Sequence, residues 1–254
     1  MILIILSLSL AVGPAICVQP AARPPAVGVD EHLGAVVPLD AHFNDEDGRP
    51  VKLGALLDKP VILTLNFFRC AGICTPLLNG LTDSLNEIKL EPGKDFRVVT
   101  VSFDPKDDHE LAKMKRLNYI RQFHRPFPVE AWRFLTGRPQ DIKALTEAVG
   151  FHYQPAPGGQ FVHPGVIVIL SPQGKVTRYM YGIEFSPYDL QMALLEAARG
   201  VARPSVVKAL QFCYDYDPVS RSFVFRLTRI VGAVTLMLAL ALIGALGFWP
   251  RRKA

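Results

Sequence analysis

The chain has 254 residues, half of them hydrophobic and 20% charged, with a mean hydropathy of +0.22. A charged fraction below the roughly 25% of an ordinary globular protein describes a soluble domain diluted by apolar segments. The formal net charge of +5 excludes nucleic acid as a partner by its location: Arg226, Arg229, Arg251, Arg252 and Lys253 all flank one apolar run, and the rest of the chain is near neutral, with no basic stripe to neutralise phosphates.

In chain order, residues 1–22 are expected to be a signal peptide or N-terminal anchor. Met1 to Val18 is apolar and uncharged, and Gln19 to Ala26 is rich in proline and alanine. The positive n-region usual in such signals is missing. Cys17 follows Pro14-Ala15-Ile16, a poor match to a lipidation site. A signal and an anchor both place the middle of the chain outside the cytoplasm.

A folded domain is expected over residues 32–200. Val61 to Phe67 reads as a buried strand, rich in branched and aromatic side chains. Pro76 to Leu90 carries Leu77, Leu81, Leu85 and Ile88 at helical spacing, with Thr75 as N-cap and Pro76 at the first helical position. Phe96 to Ser102 reads as a strand, Asp108 to His124 as a charged surface helix and Trp132 to Leu135 as a short strand. Pro139 to Val149 reads as a helix ended by Gly150. Gly165 to Leu170 is a further strand, turned by Ser171-Pro-Gln-Gly174 into Lys175 to Tyr179. Ser186-Pro-Tyr-Asp189 opens a last helix that runs to Arg199 before Gly200. The order β-α-β-α-β-α-β-β-α predicts an α/β fold, a thioredoxin-like mixed sheet sandwiched by helices.

Residues 201–229 form a juxtamembrane connector. Residues 230–249 contain no charge; at about 1.5 Å per residue they span roughly 30 Å, the thickness of a bilayer core, and are expected to be a C-terminal transmembrane helix. Trp249 sits where an interfacial aromatic would. The basic residues 250–254 mark a cytoplasmic tail, which places the main domain on the extracytoplasmic (periplasmic) side of the cell membrane.

Four cysteines are present: Cys17, Cys70, Cys74 and Cys213. A close pair and two outliers do not make a disulfide framework. Cys70-Ala-Gly-Ile-Cys74 lies between a buried strand and a helix, where backbone N–H groups and the helix dipole favour a thiolate, and Arg69 adds positive charge. The usual disulfide oxidoreductase has two residues between its cysteines; this pair has three. Two thiolates select soft ions: Cu(I), or zinc with further ligands. A third ligand has to come from six histidines. His109 and His124 sit on a solvated helix, His32 and His42 carry no constraint, and His152 suits packing at a strand end. His163 opens a central strand after the Gly158-Gly159 loop and is a candidate that these arguments do not single out.

From Val37 to about Arg199 the chain resembles the Sco/SenC family of copper-binding assembly factors for cytochrome c oxidase. The matching features are the strand before Cys70-x-x-x-Cys74, Leu78-Asn-Gly-Leu81, Val101-Ser-Phe-Asp104-Pro105, and His163 before a strand ending in Ser171-Pro-Gln-Gly174. The resemblance implies that Cys70, Cys74 and His163 hold copper, as Cu(I), and places Asp104 near the site, where it either tunes the site or caps its own turn. It departs from the family pattern at Ala71 and Thr75, where proline is common, and at Val162 and Pro164, where aspartate and serine or threonine usually flank the histidine. Phe212-Cys-Tyr-Asp-Tyr-Asp-Pro218 resembles the branch with a C-terminal membrane helix; the role of Cys213 is open. The implied function is a membrane-tethered, non-enzymatic copper metallochaperone that delivers copper to a cytochrome c oxidase subunit during assembly, its partners being the oxidase copper-site subunit and the membrane. The alternative is a thiol-disulfide reductase that keeps the acceptor's cysteines reduced, which needs Cys70 and Cys74 as its catalytic redox pair and no histidine.

Overall fold

The computed structural model describes residues 27–205, two short strands nearer the C-terminus and the isolated helical positions 235, 237, 238, 240, 241 and 244. The expected N-terminal segment, most of the expected membrane span, Cys17 and Cys213 lie outside the described residues. Among the described residues, no helix is long and apolar enough to cross a membrane.

The elements are β1 (Gly28–Val29), β2 (His42–Asn44), β3 (Pro50–Lys52), β4 (Val61–Asn66), α1 (Cys74–Glu87), β5 (Arg97–Ser102), α2 (His109–Ile120), β6 (Trp132–Gly137), α3 (Pro139–Ala148), β7 (Phe151–His152), β8 (Gln154–Ala156), β9 (Gln160–Val162), β10 (Val166–Leu170), β11 (Val176–Tyr181), α4 (Pro187–Ala198), β12 (Tyr214–Asp217) and β13 (Ser222–Phe225). A seven-stranded sheet runs β11-β10-β4-β5-β6-β2-β3. Its centre, β4, β5 and β6, is parallel, and β10 and β2 join it antiparallel on either side. The expected thioredoxin-like mixed sheet is therefore present, and β2 and β3 extend it by two strands that were not expected.

The central strands are buried on both faces, as parallel strands covered by helices must be, which is why they read as unbroken apolar runs. Ile62, Val98, Phe134, Ile167 and Ile169 face the layer of α1, α2 and α4, together with Leu81 and Leu190. Leu63, Leu65, Val99, Val101, Leu135 and Val168 point to the other side, against Ile142 and Leu145 of α3. Within the centre, the Thr64 hydroxyl donates to Thr100 Oγ1 (2.8 Å), which also accepts from Trp132 Nε1 (2.8 Å), so these polar groups are satisfied where they are buried.

The expected cap at Ser186 is present, accepting from the Asp189 N–H (3.3 Å), and Asp108 caps α2 by accepting from the Leu111 N–H (2.8 Å). The start of α1 differs. Ile73 already has helical backbone angles, which draws the first turn back to Cys74 and leaves Thr75 inside the helix rather than at its cap. The segment around Gly158-Gly159 is also more ordered than a loop: β8 and β9 pair antiparallel, and the turn between them needs both glycines at positive φ, 74° and 70°.

Candidate metal centre

The register of β10 against β4 brings the site together. Ile167 pairs with Thr64 and Val168 with Leu63, so the strand enters the sheet where β4 leaves it. Residues just before β10 therefore meet the segment just after β4, and 89 positions of sequence separation between Cys74 and His163 close to 3.2 Å between Sγ and Nε2. The ligand atoms of Cys70, Cys74 and His163 all lie within 4.8 Å of one another. This is the only such group of three His, Cys, Asp or Glu among the described residues.

Each side chain is held by its neighbours. Cys70 follows a turn closed by its N–H on the Phe67 carbonyl (3.3 Å), and its Sγ accepts from the Gly72 N–H (3.3 Å). Gln160 of β9 accepts from the Ala71 N–H (3.3 Å), tying the cysteine segment to the hairpin that leads to His163. Cys74 is the first residue of α1. The His163 ring packs edge-on to Phe67 and Phe103, with centroids 5.9 and 5.2 Å away. Its Nδ1 lies 3.1 Å from the Pro164 carbonyl. A carbonyl only accepts, so Nδ1 carries the proton and Nε2 turns a lone pair toward Cys74, the orientation a metal ligand requires.

Burial governs the charge state. Cys74 is 4% exposed and His163 8%, whereas Cys70 is half-buried. Burial, reinforced by the hydrogen bond with Cys70, pushes the Cys74 thiol far above its usual range. Burial also holds the His163 imidazole below its ordinary value, against the Pro164 hydrogen bond. The expected thiolate stabilisation by the helix end and Arg69 does not prevail at Cys74. Arg69 is drawn to Asp107 (3.0 Å) and Asp108 (3.8 Å), where its charge is matched. Without a metal, Cys74 is a thiol facing an unprotonated imidazole nitrogen; a soft cation held here would take the place of that proton.

The other histidines stay away from this cluster. His152 pairs with Asp30 (3.2 Å), the His32 Nδ1 lies 3.2 Å from the Ala148 carbonyl, and His42 sits on β2 beside the edge strand. His109 opens α2, and the His124 N–H donates to Asn86 Oδ1 (2.9 Å). Asp104 accepts from the Lys106 N–H (3.0 Å), the contact that its turn-capping role requires. The residue that the sequence did not single out is Asp107. Its buried carboxylate accepts from the Phe68 N–H (2.6 Å), the Ser102 hydroxyl (2.7 Å) and Arg69 (3.0 Å), and so fastens the start of the cysteine segment to the end of β5.

A thioredoxin-like sheet that closes two thiols and one imidazole into a single cluster defines a thioredoxin-like protein with a candidate thiol-rich metal centre. Within that class the chain belongs to a specific family, SCO1/SenC, whose sequence profile matches residues 38–198. The SCO1 protein homolog of Bacillus subtilis (strain 168) is 31% identical over 150 residues, 58% of this chain and 75% of the relative. Among solved structures, BsSco, "a member of the Sco family of cytochrome c oxidase assembly proteins" in which a disulfide switch was identified, superposes with a TM-score of 0.52 at 25% identity, covering 68% of this chain and 98% of BsSco. Arabidopsis thaliana ScoI, solved with copper bound, shares the fold with a TM-score of 0.52 at 24% identity, covering 66% of this chain and 99% of that one. Cys70, Cys74 and His163 form a candidate copper site.

Proposed function

We propose that the chain is a copper metallochaperone, tethered to the membrane, that delivers Cu(I) to the copper-site subunit of cytochrome c oxidase during assembly, with Cys70, Cys74 and His163 as ligands. The observation that carries this reading is the convergence of the three ligand atoms within 4.8 Å, with the imidazole already oriented by Pro164. Two sulfurs and one nitrogen suit a soft monovalent ion. Three-coordination suits transfer, because an incoming ligand can add before another leaves. Membership of the SCO1/SenC family supports the oxidase as destination. The uncharged residues 230–249 support the tether, which confines the search to the membrane surface and raises the effective concentration.

The second reading is a thiol-disulfide reductase acting on the acceptor's cysteines. It is favoured by one feature, a half-buried Cys70 in front of a buried Cys74, the arrangement of an attacking and a resolving thiol. His163 separates the two. A Cu(I) competition titration of the reduced full-length chain in detergent is expected to give one tightly bound ion, with His163→Ala and Cys74→Ala each weakening it by at least about tenfold, or about 1.4 kcal/mol. A wild-type chain that binds no Cu(I) yet exchanges disulfides, with or without His163, would replace the chaperone by the reductase.

A further inference from the structure

Resting on the chaperone reading, we infer that the apolar collar around the metal centre, centred on Ile73, Val162 and Ile183, is the docking surface for the copper acceptor, and that this acceptor is met mainly through apolar rather than charged contacts. Ile73 and Val162 come from two stretches without a single charged residue, Cys70 to Thr82 and Tyr153 to Pro172, in a chain that is 20% charged, and Ile183 joins them from the turn after β11, next to exposed Glu184. Its large apolar members are exposed: Val162 by 54%, Ile183 by 39% and Ile73 by 36%. Single exposed apolar residues are ordinary, but contiguous ones mark contact sites.

Contiguity follows from the backbone. The Gly182 N–H donates to the Gly165 carbonyl (3.0 Å), and a side chain at Gly165 would strike Ile73 Cδ1 at 2.8 Å. The Ile183 carbonyl packs on Gly80 of α1, two turns along the helix from Ile73 and on the same side of it. Val162 and Ile73 line the cleft that opens onto Cys70 and His163.

The chemistry selects the occupant. Cys74 and His163 are buried, so a ligand that takes the ion has to enter past the collar beside the half-buried Cys70. Whatever receives the ion therefore covers Ile73 and Val162, which line the cleft, and on this proposal extends over Ile183 beside them. A lipid surface has no soft ligand to offer. The fitting partner is a protein that surrounds its own thiolate, thioether or imidazole ligands with an uncharged apolar rim, here the copper-site domain of the oxidase subunit. Charged docking surfaces give association rates that fall steeply with salt; apolar ones do not.

The test uses the full-length chain loaded with Cu(I) and the copper-free soluble domain of that subunit as probe. Ile183→Glu is compared with Ile183→Val and with Leu195→Glu, the last at an exposed position on α4. Cu(I) affinity is measured alongside the rate of transfer at low and high salt. The expected result is unchanged Cu(I) affinity in all three, transfer slowed at least about tenfold by Ile183→Glu alone, and a wild-type rate that varies less than about threefold with salt. Wild-type transfer by Ile183→Glu, or a steep fall of the wild-type rate with salt, would overturn the proposal. A dimer of the chain abolished by Ile183→Glu would overturn it too, by giving the collar to a second copy. A chain that binds Cu(I) but passes none to the subunit domain overturns the docking proposal and leaves copper binding standing, whereas failure to bind Cu(I) removes both.

Discussion

Replacing Asp107 measures how far the cysteine segment depends on one buried carboxylate. Its side chain is fully buried and accepts from the Phe68 N–H, the Ser102 hydroxyl and Arg69. Asp107→Ala strands two buried donors. The Phe68 amide loses its only side-chain acceptor, while the Ser102 hydroxyl keeps a longer contact at 3.4 Å with the Asp104 carbonyl. An unsatisfied buried donor costs about 1–3 kcal/mol, so the alanine variant is expected to lose about 2–4 kcal/mol. Arg69 adds little, because its guanidinium is half exposed and solvent screens the pair. Asp107→Asn keeps one acceptor oxygen for the Phe68 amide and should lose only about 1 kcal/mol. Urea denaturation of the reduced, copper-free chain reads both values. Equal losses in the two variants, or a loss below about 0.5 kcal/mol in alanine, would show that the carboxylate does not fasten the segment.

Two further outcomes follow from the geometry. Because burial keeps the Cys74 proton on at neutral pH, Cu(I) binding must expel it; the apparent affinity should rise by about tenfold per pH unit from this residue alone, and a pH-independent affinity in competition titrations would contradict the buried thiol. Gly80→Ala should destabilise despite alanine's helix preference of about 1 kcal/mol, since the new Cβ would sit 1.8 Å from the Ile183 carbonyl oxygen and force the two backbones apart, at a cost of about 1–3 kcal/mol or more. Chemical denaturation that finds the variant more stable would refute that packing.

The central sheet was legible because its signals are local. The run Val61 to Asn66, the charged helix after Asp108 and the Ser186-Pro start of α4 each announce themselves within a few residues. The edge strands β2 and β3 were not read, since three residues apiece carry no period and are fixed by pairing with β6 and with each other. The β8–β9 hairpin was hidden by Pro155, Pro157 and the glycine pair, which read as loop. At the site, the cysteine pair stood out by spacing alone. His163 did not, because its place depends on the antiparallel return of β10 beside β4, a tertiary fact that only the family resemblance anticipated. Asp107 and the protonated Cys74 were illegible for one shared reason: both depend on burial in the folded chain, and on partners distant in sequence, Phe68 for Asp107 and His163 for Cys74.

The positions at which this chain departs from the Sco/SenC pattern are not scattered. Ala71, Thr75 and Val162 are exposed and lie on the two uncharged stretches around the centre, and Pro164 adjoins them. The ligands themselves, and the aromatic rings of Phe67 and Phe103 that pack against His163, sit behind that surface. On the proposed chaperone reading, holding the ion draws on the buried layer, through sulfur, imidazole and the Pro164 carbonyl, and handing it over draws on the rim, where the acceptor has to approach. Substitution at the rim can therefore change which acceptor is served while leaving the affinity for copper as it was. For the proposed chaperone, the same separation would let a site with two of its three ligands buried release its cargo: the half-buried Cys70 would be the point of exchange, and the surface next to it would decide who is close enough to exchange.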